Sequence, residues 1–148
     1  MMTETDKAYL AAFIDGEGSI SLNQCHRGES RTKSYVLRLR ITNTDRSVLE
    51  WIAATVGHGA IIVKKRCKAK NGMTRPAWEW YLANKRASAL LQEILPYMKI
   101  KRKQAELGIE YCESIGITPH NQRLCEDIVS YRRSCKDKMG LLNHPTFI

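Results

Sequence analysis

The chain has 148 residues, with 24 lysines and arginines against 15 acidic residues and a formal net charge of +9. Its hydrophobic fraction of 43% is typical of a globular fold, and the length suits a single domain spanning residues 1–148. The basic excess favours a polyanionic partner. No apolar run approaches the roughly 20 residues of a membrane span, and the polar residues 1–7 lack a signal-peptide core. We therefore expect an intracellular protein of the cytoplasm, nucleoid or an organelle matrix, without a membrane partner.

Cysteine and histidine spacing excludes several classes of site. The five cysteines are odd in number and form no CxxC pair, so we expect reduced packing residues, with neither a disulfide framework nor a zinc finger. The four histidines, His26, His58, His120 and His144, are scattered, and no P-loop occurs. A nuclease site of the His-Asn-His type is therefore not expected.

The first predicted element is a helix that ends in the stretch Leu10–Gly18. Leu10, Phe13 and Ile14 recur at helical spacing and give this helix one bulky apolar face. Small residues spaced four apart form a second face, which would let another backbone approach closely. These small residues are Ala8, Ala12 and Gly16.

A carboxylate, Glu17, falls at the predicted C-terminal end of this helix. The C-terminus of a helix carries a partial negative charge, so a carboxylate there is unfavourable unless a cation lies beside it. The position of Glu17 therefore predicts a metal site.

Four strands follow the first helix, arranged as two hairpins around a second helix. Alternating apolar and polar residues predict strands over about Ser19–Arg27, Ser34–Asn43, Ala60–Arg66 and Ala77–Ala83. Between the hairpins, Asp45 is the expected N-cap of a helix that ends at Gly57. We expect further helices over about Ala87–Leu95, Met98–Ile115 and Gln122–Lys138. The order αββαββααα indicates an α+β fold, with an antiparallel sheet covered by helices on one face.

The stretch Leu10–Gly18 resembles the signature of the LAGLIDADG homing endonucleases. It matches at Leu10, Ala11, Ile14, Asp15 and Gly18, and it differs at Ala12, Phe13, Gly16 and Glu17, where the size or charge class is kept. The order of elements agrees with this family, and residues 96–101 are similar to the lysine-bearing start of its later helix. The resemblance implies the αββαββα(α) fold of the family, with a four-stranded antiparallel sheet that reads DNA.

The resemblance also implies a chemistry, a metal-dependent cleavage of double-stranded DNA. Glu17 would bind Mg²⁺, helped by the carbonyl of Gly18, and Mn²⁺ or Ca²⁺ could substitute for binding. Asp15 is a weaker catalytic candidate. Mg²⁺ prefers oxygen ligands and keeps several waters, so one carboxylate per subunit together with DNA phosphates can suffice. Metal-bound water would be the nucleophile, as in other metal-assisted hydrolysis.

Two further residues are candidates for the same catalytic site. Lys101 corresponds to a lysine that lies beside the scissile phosphates in the family, with Lys99 as the alternative in the same basic run. Asn43 corresponds to a residue that orders waters around the metal, and its alternative role is to form the turn that follows the second strand.

The polar face of the sheet is the expected DNA-reading surface, because a two-stranded ribbon fits the major groove. Arg38 and Arg40 are the best candidates for bidentate guanine contacts, and a glutamate such as Glu79 can accept from cytosine. Lysines and arginines in the loops, including Arg31 and Lys33, more plausibly hold phosphates. The candidate reading residues are Ser21, Asn23, Cys25, Arg38, Arg40, Ile62, Lys64, Arg66, Glu79 and Tyr81.

One motif copy in one short chain predicts a homodimer, with the face formed by Ala8, Ala12 and Gly16 as its two-fold contact. The resemblance further implies that the target is a long, nearly palindromic duplex, cut in both strands across the minor groove to leave short 3′ overhangs. Two alternatives keep the fold: a maturase that binds its host intron RNA, and a DNA-binding regulator that does not cleave. Retention of Glu17 and Lys101 argues against the regulator.

Overall fold

The computed structural model describes residues 1–25, 34–64, 76–116 and 126–145. The helices and strands of these residues follow one another as α1 (Glu4–Glu17), β1 (Gly18–Cys25), β2 (Ser34–Asn43), α2 (Arg46–Val56), β3 (Ala60–Val63), β4 (Trp78–Ala83), α3 (Asn84–Ile94), α4 (Arg102–Gly116) and α5 (Glu126–Asn143). A 3₁₀ turn, Leu95–Tyr97, lies between α3 and α4. None of these helices is long and apolar enough to cross a membrane. The predicted α+β fold, with its two hairpins, is confirmed.

The four strands form one antiparallel sheet in the order β1-β2-β4-β3. Gly18 at the start of β1 lies opposite Ile41 near the end of β2, so the end of α1 adjoins the β2–α2 connection. On the other side of β2, Ile41 lies opposite Trp80 of β4. The first residues of β1 are thereby fixed in register against the centre of the sheet.

One face of the sheet is apolar and buried beneath the helices. Its buried residues are Ile20, Leu22, Tyr35, Leu37, Leu39, Ile41, Trp80 and Leu82. Buried residues of the helices and of the loop before α4 pack against this face, and they are Leu10, Ala11, Ile14, Leu49, Ile52, Ala87, Leu90, Leu91, Ile94, Met98, Ala105, Tyr111, Cys135 and Met139. The period-two alternation along β2, in which every second residue is buried, leaves the opposite face half-buried and polar.

Side-chain caps fix the beginning of α1 and of α2. The Thr3 hydroxyl accepts from the Asp6 amide at 3.1 Å, and the Asp6 carboxylate accepts from the Thr3 amide at 3.0 Å. Asp45 accepts from the Ser47 amide at 2.9 Å, as the sequence predicts, and Gly57 ends α2 with a φ of 79°.

The region between α2 and β3 needs a second glycine for space. A Cβ added to Gly59 would lie 2.2 Å from the indole nitrogen of Trp80, and the φ of Gly59 is 105°. The same indole N–H donates to the His58 carbonyl at 3.1 Å. This close approach therefore fixes the connection between α2 and β3 against the buried Trp80.

The predicted start of α4 at Met98 is wrong. Met98 has an extended backbone, with φ −77° and ψ 143°, and the helix begins at Arg102. The carboxylate of Asp15 accepts hydrogen bonds from the backbone amides of Lys99 and Lys101, which holds residues 98–101 against the end of α1. A contact distant in sequence therefore overrides the local helical pattern.

Other boundaries also differ from the prediction. β3 ends at Val63, before the expected Arg66, which lies outside the described residues. α5 extends past the expected Lys138 to Asn143, because Asn143 donates to the Ile20 carbonyl of β1 at 2.8 Å. In α1, Phe13 is only half-buried, and Ala11 lies in the core with Leu10 and Ile14.

Candidate active site and nucleic-acid interface

The end of α1 passes directly into β1 at Gly18. A Cβ added to Gly18 would lie 2.8 Å from both the Cα and the carbonyl oxygen of Ile14. Gly18 has a φ of −84°, so glycine is required here for space rather than for an unusual backbone conformation. This close turn places the motif carboxylates, Asp15 and Glu17, immediately before the first strand.

Asp15 fastens the loop before α4 to the end of α1. Its two carboxylate oxygens accept from the backbone amide of Lys99 at 2.8 Å and from that of Lys101 at 3.0 Å. Burial alone would raise the pKa of Asp15. The amide hydrogen bonds from Lys101, Lys99 and Ile100, with the Lys101 charge, outweigh burial and lower this pKa below its usual range. Asp15 is thus a structural carboxylate that acts on the position of Lys101.

Lys101 turns its side chain back onto the C-terminus of α1. Its ammonium donates to the Ile14 carbonyl at 3.1 Å and to the Gly18 carbonyl. Partial burial lowers the pKa of Lys101, and the charges of Asp15 and Glu17 oppose that shift. A cation at this point complements the negative end of the helix.

The position of Lys101 changes the interpretation of the carboxylate at the end of α1. We expected that a carboxylate at the end of α1 would need a metal ion beside it, but the ammonium of Lys101 already supplies a positive charge there. The exposed side chain of Glu17 follows the same helix end. The electrostatics of the helix end therefore do not by themselves demand a metal, and the metal role of Glu17 remains a prediction.

The oxygen donors at this point nevertheless suit a hard divalent cation. Glu17 has an exposed side chain, and Gly18, the next residue, offers a carbonyl oxygen that in this structure accepts from the Lys101 ammonium. Across the described ranges, no three or more His, Cys, Asp or Glu side chains cluster as a metal site would require. A Mg²⁺ ion here would therefore draw most of its ligands from water, phosphate or a second subunit.

Asn43 forms the turn into α2. Its side-chain oxygen accepts from the Asp45 amide at 2.8 Å, directly before the helix cap. It lies opposite Trp78, two residues beyond the Ile41 that faces Gly18. The turn-forming role is therefore observed, and a role in ordering water stays a prediction.

The residues expected to read DNA share one face of the sheet, here called the polar face. Cross-strand pairing places Ser21 opposite Arg38, and it places Arg40 opposite Tyr81. The members that the structure describes are Ser21, Asn23, Cys25, Arg38, Arg40, Ile62, Lys64, Glu79 and Tyr81. Arg66, like Arg31 and Lys33, lies outside the described residues.

Contacts within the polar face differ from one side to the other. The guanidinium of Arg38 lies 5.9 Å from the ring centroid of Tyr81. The carboxylate of Glu79 accepts from the Thr42 hydroxyl at 3.3 Å and lies 3.6 Å from the Lys64 ammonium. The sequence alternation predicted which residues share this face, but it did not predict these pairings.

Comparison with known proteins places the chain in a family. The LAGLIDADG endonuclease family model matches residues 10–107, which include the motif helix, the sheet and Lys101. The chain belongs to the LAGLIDADG endonuclease family. No curated protein matches it by sequence.

The fold of this LAGLIDADG chain is similar to that of several solved structures. I-CvuI, solved in complex with the I-CreI target, has a TM-score of 0.76 at 23% identity, over 98% of this chain and 86% of that one. The archaeal intron-encoded I-Vdi141I also gives 0.76, at 17% identity, over 97% of this chain and 87% of that one. The meganuclease I-SmaMI gives 0.66 at 21% identity, over 90% of this chain and 44% of that one.

The small-residue face of the LAGLIDADG helix is uncovered. Ala8, Ala12 and Gly16 are exposed, and a Cβ built on Gly16 meets nothing within 4 Å. Beside this face, the exposed rings of Tyr9 and Trp51 meet edge to face, with centroids 5.2 Å apart. The sequence analysis did not single out this aromatic pair, although both rings are large apolar groups left outside the core pattern of α1 and α2.

Proposed function

We propose that this chain is a site-specific endonuclease that cuts double-stranded DNA as a homodimer. The observation that carries the proposal is the arrangement at the end of the family's motif helix, where exposed Glu17 lies beside Lys101, fixed by hydrogen bonds to Ile14 and Gly18. An acidic ligand and a cation near the reacting phosphate are two requirements of hydrolysis, and in this proposal Glu17 and Lys101 would meet them.

Homodimer formation is supported by the number of carboxylates and by the exposed helix face. Each chain offers one motif helix with one free carboxylate, Glu17, so a second copy would complete a pair of cutting sites. The uncovered face of Ala8, Ala12 and Gly16 would let two α1 helices approach closely across a two-fold axis. That this chain spans 44% of I-SmaMI agrees with a longer relative carrying about two such units.

Double-stranded DNA as the substrate is supported by charge and by the form of the sheet. The net charge of +9 and the polar face with Arg38 and Arg40 suit the major groove of a duplex. I-CvuI and I-Vdi141I were each solved in complex with DNA. A homodimer would read a long, nearly palindromic site, and cutting each strand across the minor groove would leave short 3′ overhangs.

Glu17 and the Gly18 carbonyl would hold a Mg²⁺ ion, with Mn²⁺ or Ca²⁺ able to replace it for binding. Bound Mg²⁺ would supply charge neutralisation on the phosphate and a lowered pKa of water. I-CvuI was solved in the presence of Mg in one complex and of Ca in another. Lys101 would stabilise negative charge that develops on the phosphate. Its ammonium donates to the Ile14 carbonyl at 3.1 Å and to the Gly18 carbonyl, and it interacts with the charge of Glu17.

The decisive experiment compares the wild-type protein with Glu17→Gln. Duplexes bound from a random library in Ca²⁺ would be sequenced and then incubated with Mg²⁺. We expect Glu17→Gln to bind them and to lose double-strand cutting, because the amide keeps the size of the side chain but not its charge. Glu113→Gln, which alters an exposed carboxylate of α4, is the matched control and should cut normally.

Four outcomes would contradict parts of the proposal. Equal cutting by Glu17→Gln and wild type would remove the metal-ligand assignment. Binding without cutting by the wild type would favour the regulator, and preference for structured intron RNA over duplex DNA would favour the maturase. A native mass of one chain per DNA duplex would refute the homodimer.

A further inference from the structure

We infer that the polar face is divided into two parts that treat DNA differently. Arg38 and Arg40 form a guanine-reading part, with Arg40 contacting a base nearer the centre of the target than Arg38. Thr42, Lys64 and Glu79 form a self-paired part that contributes charge but no base preference. This inference rests on the proposed function, since it assigns base positions within the DNA site of the same homodimer.

Within the described part of the chain, no acidic side chain forms an ion pair with Arg38 or Arg40. The cross-strand neighbours of Arg38 are Ser21 and Ala83, and those of Arg40 are Ser19 and Tyr81, all of them uncharged. Among the described residues, the Nε donors of Arg38 and Arg40 and the hydroxyl of Ser21 are buried without a hydrogen-bond partner. These inaccessible atoms cannot themselves meet a base, but they show that the described residues supply no acceptor to hold either guanidinium, which leaves its outer N–H groups to pair with a base edge.

The ring of Tyr81 adds order to the arginine part. The guanidinium of Arg38 lies over this ring, 5.9 Å from its centroid, and this contact restricts the orientation of the guanidinium. A planar, pre-oriented guanidinium matches the two acceptors of guanine in the major groove. Lysine at the same place would keep the charge and lose this two-point match.

The second part of the polar face is already paired within the protein. Glu79 has a side chain only 12% exposed, and it accepts from Thr42 at 3.3 Å while lying 3.6 Å from the Lys64 ammonium. To accept a hydrogen bond from cytosine, Glu79 would first have to give up these contacts. The expectation that Glu79 reads cytosine is therefore replaced here by a role in holding Lys64.

The order of the two arginines along the target follows from the register of β1 and β2. Gly18, next to Glu17, lies opposite Ile41, so Arg40 is the first arginine counted from the cutting end of the sheet. Arg38 lies two residues further along β2, about 6.6 Å away at the usual rise of 3.3 Å per residue. DNA rises 3.4 Å per base pair, so the two contacts should fall roughly two base pairs apart.

The test selects duplexes from a random DNA library in Ca²⁺ with the wild type and with Arg38→Lys, Arg40→Lys and Glu79→Gln. We expect the wild type to enrich two guanines per half-site, about two base pairs apart. Arg40→Lys should relax the inner guanine and Arg38→Lys the outer one, each by roughly tenfold to a hundredfold. Glu79→Gln should bind non-specific DNA more tightly without changing any base preference, because it frees the charge of Lys64.

The two proposals can fail separately. If the wild type enriches no sequence, the proposed function fails. If the wild type enriches a site but the lysine variants leave its guanines unchanged, or the inner and outer assignments are reversed, the arginine assignment fails. Loss of a cytosine preference in Glu79→Gln would overturn the self-paired role of Glu79. Thermal unfolding of each variant shows that a changed preference comes from a folded protein.

Discussion

Replacement of Asp15 by asparagine tests the contact that joins the motif helix to the loop before α4. The carboxylate accepts two backbone hydrogen bonds, at 2.8 Å from Lys99 and at 3.0 Å from Lys101. Asparagine keeps one acceptor oxygen and turns an NH₂ group toward the second amide. One hydrogen bond to a charged group is lost, which costs about 2 kcal/mol for this partly exposed side chain. For a chain of this length the melting temperature should fall by roughly 4–8 °C.

Urea unfolding of Asp15→Asn beside Asp137→Asn would measure this loss. Asp137 is exposed on α5, so its variant controls for the removal of a negative charge. The pKa of Asp15 is lowered in the fold, so its contribution is complete above the unfolded value of 3.8 and is lost as pH falls through the folded value. The stability difference should therefore hold at neutral pH and shrink below about pH 4. Equal stability of the two variants at pH 7 would refute the reasoning.

Two further predictions concern the core and the helix-to-strand turn. Burial raises the pKa of Tyr111 to about 12, and its hydroxyl donates to the Tyr35 carbonyl at 2.7 Å. The free energy of unfolding should therefore fall as pH rises from 10 toward 12, because the Tyr111 hydroxyl ionises at lower pH in the unfolded chain than in the folded one. In a series of denaturations over that pH range, Tyr111→Phe should lose less stability than the wild type. Gly18→Ala should cost about 1–3 kcal/mol in urea unfolding, since its Cβ would meet Ile14, whereas Gly140→Ala, on α5 with open space around it, should not destabilise the chain. A tolerated Gly18→Ala would show that the turn is looser than its contacts indicate.

Local patterns were sufficient to predict most of the fold. The alternation along β2 predicted its bounds as Ser34–Asn43, as the structure has them, because Tyr35, Leu37, Leu39 and Ile41 are buried and the residues between them are not. The cap residues Asp45 and Gly57 bounded α2 for equally local reasons. The face on which a strand residue lies and the position at which a capped helix ends depend on residues nearby in the chain. Both can therefore be predicted from the sequence.

The errors fell where the backbone is held by residues distant in sequence. Residues 98–101 have a helical pattern, yet Asp15, more than 80 positions earlier, holds their amides in an extended loop. The last turn of α5 likewise depends on Asn143 bonding to Ile20 of β1. Asn84 shows the same effect, because its side chain accepts from the Leu37 amide at 3.2 Å while its backbone takes a φ of 49°. Helix and strand propensities, which depend on nearby residues, cannot predict contacts between residues so far apart in the chain.

The candidate site shows the same division between what is local and what is distant. The sequence correctly brought Asp15, Glu17 and Gly18 together, because they are neighbours in the chain. Lys101 was added to this group because the chain resembles a family. The structure shows what brings Lys101 there, since the Asp15 carboxylate accepts from the backbone amides of Lys99 and Lys101. The distribution of charge across the polar face, by contrast, depends on which residues lie opposite one another.

The backbone of Lys101 joins this residue to Asp15, and the proposed function gives the two side chains different roles. Each carboxylate oxygen of Asp15 accepts a backbone amide, and the lowered pKa of Asp15 keeps it ionised to hold the loop. The backbone amide of Lys101 donates to Asp15, and this bond fixes the position of the residue. Its ammonium makes a separate contact and donates to the carbonyl of Gly18, next to Glu17. A phosphate entering this site would compete for that ammonium with neutral carbonyls rather than with a carboxylate. Since a phosphate is charged and a carbonyl is not, the competition favours the phosphate, and Lys101 can turn to a substrate without breaking an ion pair.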